Sequence, residues 1–388
     1  MDIRNRTTGS WLVLDSNNKK AGIFLRKYEA LEFASKHNYT VRFHFYDHVW
    51  DSFDRSLLGK ISLPALYAER AKQLRDKYDH LVLHYSGGSD SHNILHTFLT
   101  NNIKLDEIMV RWPKHWLDGK FYTANNKDTS AKNAPSEYDY AIKPTLEFIR
   151  NKHPEIKITI VDYTDGLHDY TDSESIEKKL MSANITRFAL GSVTMRLSDT
   201  SNEQILTAGK RNTGHMIGVD KPALYLQNNN IYMYFGDLMF ENCGMPEGVN
   251  VEPFYWTGEF PLLPMEQAYQ VAMFIKQNKH HAALLNSPNK PVDQILRDFH
   301  VQFDLMKGIL YKHSWDFTRF QAGKPNMDRS DWYSWIYEAN ELSSLRDSYD
   351  GAMKSLTRNI SSQFLVNTTG TPLFAPQRTK LFHLMSLE

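Results

Sequence analysis

One run in this chain combines residue types and spacing that could do chemistry: Ser86-Gly87-Gly88-Ser89-Asp90-Ser91, set between the apolar runs "LVLHY" and "IL". A plain surface turn needs fewer special residues, whereas a phosphate cradle needs such a set. Two glycines let a backbone turn sharply and approach an anion closely. The first N–H groups of a helix opened by the run are unpaired and carry positive partial charge. Ser86, Ser89 and Ser91 add hydroxyl donors, so neutral groups could hold most of a phosphate. Asp90 repels anions and makes sense where a Mg²⁺ ion stands between it and the phosphates. The run is not a Walker A loop, because no Gly-Lys-Ser/Thr follows, and no third glycine falls at the dinucleotide spacing.

The surrounding pattern supplies the elements that must position this loop. "HLVLHY" (80–85) is a buried strand and 91–102 a helix. Strands follow at 106–112, 156–163 and 203–210, separated by helical segments with caps such as Ser173. This alternation predicts an α/β fold with a doubly wound parallel sheet, which binds ligands beyond the carboxyl ends of its strands. Ser62 and Pro64 open an amphipathic helix just before the first core strand. Residues 1–60 read as a small N-terminal α/β unit, 61–245 as the sheet domain and 246–388 as a mostly helical C-terminal region. A hairpin is expected over 223–237, turning at Asn228 to Asn230.

The run Ser86–Ser91, with a strand before it and a helix after it, resembles the Ser-Gly-Gly-x-Asp-Ser motif of the PP-loop, or N-type, ATP pyrophosphatases. That superfamily includes asparagine synthetase. Segments 62–91 and 252–269 also resemble PP-loop proteins encoded by tailed-phage genomes, which implies no substrate. The resemblance implies an adenine nucleotide alpha hydrolase-like sheet with the loop after its first core strand. It implies ATP and Mg²⁺ as cofactors, cleavage between the α- and β-phosphates, adenylation of a substrate oxygen and displacement of AMP. Ser86, Gly87, Gly88, Ser89, Asp90 and Ser91 would contact the nucleotide, with Asp90 both catalytic and a metal ligand.

The resemblance also assigns roles elsewhere. Residues 209–222 would close over the pyrophosphate end, with Lys221 neutralising the leaving group and Asp220 helping to hold Mg²⁺. The plainer reading of that segment is a polar turn stopped by Pro222. Arg196, Lys210 and Arg211 are further phosphate candidates, whose plainer reading is a solvated helix face. Met109 to Trp112 would form an adenine wall, with Arg111 and Trp112 as contacts, although Trp112 and Trp116 also read as core anchors.

Composition narrows the reaction. Lys plus Arg and Asp plus Glu number 45 each, so no global positive field draws the chain to nucleic acid or membrane. Cys243 is the only cysteine and residue 2 is Asp2. A cysteine-nucleophile glutaminase, a thiolating cysteine pair and a cysteine-rich zinc site are therefore all excluded. Nitrogen would come from free ammonia, a substrate amine or a partner. The acceptor expected is a small molecule of unknown identity, with nucleic acid on a local basic patch disfavoured but left open. The 16 histidines include no His-Glu-x-x-His pattern, and adjacent His280 and His281 point apart on a helix. Tyr255, Trp256, Trp332, Tyr333 and Trp335 read as core or domain interface. No signal-peptide h-region or membrane-length apolar run is present, so the chain reads as soluble and cytoplasmic. The leading expectation is an AMP-forming ligase or amidotransferase-like enzyme. The alternatives are an adenine-nucleotide-binding module without turnover and a PP-loop enzyme that modifies nucleic-acid bases.

Overall fold

Three apolar runs of the first half pair with two later segments as a parallel sheet. In a computed structural model of the chain, β4 (His80–His84), β5 (Glu107–Arg111), β6 (Lys157–Val161), β7 (Thr213–Ile217) and β10 (Asn250–Pro253) form one five-stranded sheet in the order β10-β7-β4-β5-β6. All four pairings are parallel. The structure describes residues 9–112, 138–163, 167, 170–182, 190, 197–209, 212–218, 223–237, 245–246, 248–278, 303–314, 340–368 and 371–388.

The strand order reverses beside β4. The chain winds outward from β4 through β5 to β6, then returns to the other side of β4 as β7 and β10. Open parallel sheets in general bind ligands at the carboxyl edge of such a reversal. The helix α4 (Ser89–Thr100) follows β4 directly, and α3 (Leu63–Lys77) precedes it. Ile94, Leu95 and Phe98 of α4 share the main core with Leu81 and Leu83 of β4. Val82, on the other face, packs instead with Met109, Val161 and Ile205 in a small separate core. Ile205 lies in α7 (Asp199–Thr207), so that helix covers the second face.

That helix corrects one expectation. Residues 203–210 are not the fourth core strand: they fall largely in α7, and "TGHMI" (213–217) takes the strand position. Ser198 caps α7 by accepting from the Ser201 N–H at 3.2 Å, and this local start prevails over the apolar Ile205-Leu206 pair that suggested a strand. Ser62 holds the N-cap position of α3 as expected, with Pro64 in the first turn, although its side chain makes no cap bond. Ser173 begins α6 (Ser173–Ser182), but Asp172 accepts from the Ser175 N–H at 2.8 Å in its stead.

The N-terminal residues form an antiparallel sheet, order β2-β1-β3, from β1 (Ser10–Leu14), β2 (Lys20–Phe24) and β3 (Thr40–His44), with α1 (Lys27–His37) between the last two. The hairpin forms as expected from β8 (Ala223–Gln227) and β9 (Asn230–Tyr234). Its two-residue turn is Asn228-Asn229, both at positive φ (48° and 57°), which asparagine tolerates better than most residues. The last strand, β13 (Phe382–Ser386), pairs with β9, and a buried Lys27–Asp237 ion pair at 3.0 Å ties α1 to the end of the hairpin. The described residues after 246 include three helices, α8 (Leu262–Gln277), α9 (Phe303–Leu310) and α10 (Ser343–Thr357), and an antiparallel pair of strands, β11 (Leu365–Thr368) and β12 (Thr371–Phe374). Strand β10 also comes from beyond that point and completes the parallel sheet. No helix among the described residues is long and apolar enough to cross a membrane.

Candidate functional site

The run 86–91 sits at the carboxyl end of β4 and opens α4. Gly87 has φ 75°, a conformation that strains any residue with a Cβ, and it reverses the chain after Ser86. Gly88 is the N-cap of α4, and it makes no side-chain cap bond because it has no side chain. Ser89, Asp90 and Ser91 form the first turn, where an acidic residue also complements the helix dipole.

Hydroxyls brace the loop internally. Ser91 Oγ accepts from the Ser86 N–H at 3.2 Å, lies 3.2 Å from Ser86 Oγ and donates to the Gly88 carbonyl at 3.1 Å. The Gly88 N–H points at Ser86 Oγ, 3.3 Å away. Ser91 is buried and its hydroxyl is used within the loop, whereas Ser86 is exposed. Gly218, the first residue beyond β7, packs directly on this turn. A Cβ there would stand 2.9 Å from the Ser91 backbone nitrogen, so only glycine allows the approach.

Sequence reasoning missed the shell that holds α4. Three buried tyrosines converge beneath its first turn: Tyr67 from α3, Tyr255 just past β10, and Tyr311 at the end of α9. Their rings stand 5.7 to 6.3 Å apart between centroids. The Tyr311 hydroxyl donates to Asp90 Oδ1, and the Tyr255 hydroxyl donates to the Asp90 carbonyl at 2.8 Å. Asn93 donates to the Tyr255 hydroxyl at 2.9 Å and accepts from Ser314 at 2.7 Å. Burial raises the Tyr255 and Tyr311 phenols well above their ordinary value, with Asp90's charge adding to the effect on both. Both therefore remain hydrogen-bond donors. Tyr255 and Trp256 are core residues, as the sequence reading favoured. Its grouping of both with apolar packing gave no sign that Tyr255's hydroxyl reaches Asp90.

Arg111 ends β5, the strand beside β4, and Trp112 follows it. The Trp112 ring is buried and packs against Tyr138 at 5.4 Å. In the pairing register His84 lies opposite Met109, so Arg111 projects from the same sheet face as His84. Lys221, Asp220, Arg196, Lys210, Arg211 and Cys243 lie outside the described residues, as do Trp116, His280, His281, Trp332, Tyr333 and Trp335.

This second face carries a buried polar row with no counterpart in the sequence reading. The fully buried Glu107 accepts from Thr159 at 2.6 Å and Lys157 at 3.2 Å, and lies 3.3 Å from His80 Nε2. Farther toward the carboxyl edge, His84 Nε2 meets His215 Nδ1 at 2.9 Å. Both rings are buried, at 9% and 3% exposure. Burial lowers the His84 imidazole well below its ordinary value, helped by Arg111 and His215. Burial also lowers His215, to about 4, against the opposing pull of Glu107. The pair is neutral at neutral pH. His84 and His215 stand 131 residues apart, and the strand that carries His215 was not placed, so nothing in the sequence paired them in advance.

The chemistry of the first turn fits a magnesium ion carried by a nucleotide. Such an ion takes one or two carboxylates and completes its shell with phosphates and water. Asp90 offers a carboxylate, with Tyr311 on one oxygen. Among the described residues no group of three or more His, Cys, Asp or Glu side chains forms a self-sufficient metal cage. No protein-family model matches the chain, and no curated protein matches it.

Proposed function

We propose that this chain is an ATP-dependent, AMP-forming ligase of the PP-loop kind, built on an adenine nucleotide alpha hydrolase-like sheet. The observation that carries the reading is positional. The Ser86–Ser91 loop leaves β4 at the reversal of strand order and opens α4 with a left-handed Gly87 and an N-cap Gly88. Backbone N–H groups at that turn would receive the phosphates, and Asp90 would hold Mg²⁺, which offsets phosphate charge.

In the first step a substrate carboxylate oxygen attacks the α-phosphorus. The bond from the α-phosphorus to the α,β-bridging oxygen breaks, and pyrophosphate leaves with its electron pair. In the second step an amine nitrogen attacks the acyl carbon. The carbon–oxygen bond to AMP breaks, AMP leaves with that pair, and the nitrogen gives up a proton. The protein contributes mainly position and fixed charge. Lys221 and Asp220 would act on the pyrophosphate side, close in sequence to the Gly218 contact. Nitrogen reaches the site as free ammonia or an amine, since the single cysteine, Cys243, forms no glutaminase.

A second reading also has an observation behind it. Tyr311 already occupies one oxygen of Asp90, as would suit a module that binds adenine nucleotide without turnover. Incubating the full chain with labelled ATP, a panel of carboxylic acids and ammonium separates the two. AMP and pyrophosphate are the expected products. ADP and phosphate as sole products contradict the ligase reading, and saturable ATP binding without any product supports the second.

A further inference from the structure

The histidine pair on the far side of β4 has a feature that packing does not explain. His84 is more than nine-tenths buried, one of its ring nitrogens is bonded to His215, and the other, Nδ1, has no hydrogen-bond partner among the described residues. Buried polar nitrogens are nearly always paired, so one left bare at the ligand edge of a sheet calls for a ligand. His84 is the last residue of β4, two positions before Ser86.

The electrostatics of the row bear on what kind of ligand. His215 uses Nδ1 toward His84, and the Glu107 carboxylate lies in the same row, near enough for its charge to act on the His215 ring. Where that charge holds the ring proton on Nε2, His215 Nδ1 is a lone-pair acceptor. His84 Nε2–H must then donate to it. His84 Nδ1 is left as a bare lone pair that can only accept. The partner it needs is therefore an N–H or O–H donor. Arg111, on the same face, disfavours a cation there. A neutral amine meets both conditions, and neutral is the form in which an amine is a nucleophile.

We propose that His84 is a substrate-contacting residue that accepts an N–H of the incoming amine, and that His215 is the positioning residue that keeps His84 in the tautomer able to do so. The inference rests on the ligase reading above and names its second substrate. Once the nitrogen–carbon bond forms, the nitrogen becomes positively charged and strongly acidic. Even a weakly basic imidazole then takes its proton at Nδ1, as the carbon–oxygen bond to AMP breaks and AMP leaves with the electron pair. Every atom and charge is accounted for without a further reagent.

The test uses the full chain with ¹⁵N-labelled histidine and hydroxylamine as the probe, an amine that is neutral at neutral pH. Long-range ¹H–¹⁵N spectra should show His84 protonated at Nε2 and bare at Nδ1, with the Nδ1 signal moving saturably as hydroxylamine is added. His215→Phe should weaken the hydroxylamine response by about tenfold, the scale of one misdirected neutral hydrogen bond. Calorimetry should show saturable hydroxylamine binding to the Mg-ATP-loaded wild-type chain and none in His84→Phe, whose Mg-ATP binding persists. A proton on His84 Nδ1 in the wild-type chain, which needs no variant to observe, overturns the proposal. So does calorimetric hydroxylamine binding that survives His84→Phe. Absence of Mg-ATP binding in the wild-type chain instead removes the ligase reading, and leaves the tautomer result standing by itself.

Discussion

Strand β4 divides two polar regions that are finished to different degrees. On the α4 side, Asp90, Ser91 and Asn93 each have protein partners, and tyrosines from three separate parts of the chain meet beneath one helical turn. On the other side, Glu107 is fully satisfied while His84, a few residues away, keeps a bare nitrogen. A braced turn suits a site that must present rigid backbone donors to phosphates. An unsatisfied group suits a place where a ligand completes the bonding. Under the proposed function, the contrast teaches that the nucleotide side would be preorganised by the protein and the acceptor side left for the substrate to complete.

The largest effect should come from the carboxylate at the braced turn. Asp90→Ala is expected to lower AMP formation by roughly two to three orders of magnitude, the scale of losing one transition-state contact. Circular dichroism should show the fold retained, because the residue is only half-buried. Normal AMP formation in that variant would remove Asp90 from the metal site.

Acid sensitivity should come from the other side of β4. His215 has its pKa lowered from 6.5 to about 4 by burial, with His80, His84, Arg111, Glu107 and Lys157 on the same sheet face. Above the unfolded value both states are neutral and stability does not depend on this group. As pH falls from 6.5 toward 4 the unfolded chain binds a proton that the native chain refuses. Stability therefore drops by about 3 kcal/mol over that window and then levels off. Urea titrations at stepped pH should give a shallower slope in His215→Phe than in the wild type. Equal slopes would show that the buried imidazole is not refusing the proton.

A smaller effect sharpens the braced side. Tyr311→Phe keeps the ring and removes only the hydroxyl that holds Asp90. We expect the Mg²⁺ concentration for half-maximal ATP binding to rise by about tenfold, one hydrogen bond to a charged group being worth roughly 1.5–3 kcal/mol at most. Tyr255→Phe, whose hydroxyl meets the Asp90 backbone and the Asn93 amide rather than the Asp90 carboxylate, should leave the Mg²⁺ requirement unchanged. A fall in the requirement for Tyr311→Phe would mean that Tyr311 blocks the carboxylate. The smallest effect belongs to Cys243→Ser, which should leave ammonium-dependent activity as it was and gain none with glutamine.

What the sequence revealed follows the range of its interactions. The loop 86–91 was legible because its glycines, its strand and its helix are neighbours in the chain. The strands at β4, β5 and β6 were legible for the same reason, as runs of Val, Ile and Leu between turns. The fourth strand was not. "TGHMI" has weak β character, and its place is set by pairing with His80–His84 on one side and Asn250–Pro253 on the other. The strand misplacement hid His215 and with it the pair to His84. Tyr311 was invisible because it stands 221 residues from Asp90 and approaches only through the packing of α9 on α8 and of Tyr67 on Leu310. Long-range contacts of this kind leave no periodic trace.

The central claim is that the turn at Gly87 and Gly88 is the nucleotide site, and calorimetric titration of Mg-ATP into the full chain tests it most directly. Gly88 has φ −77°, so valine there meets no backbone strain from φ, but its branched side chain stands where phosphate must approach the N–H groups. The account predicts one saturable site in the wild-type chain and none in Gly88→Val, with thermal melting showing both chains folded. Equal binding in the two chains would contradict it.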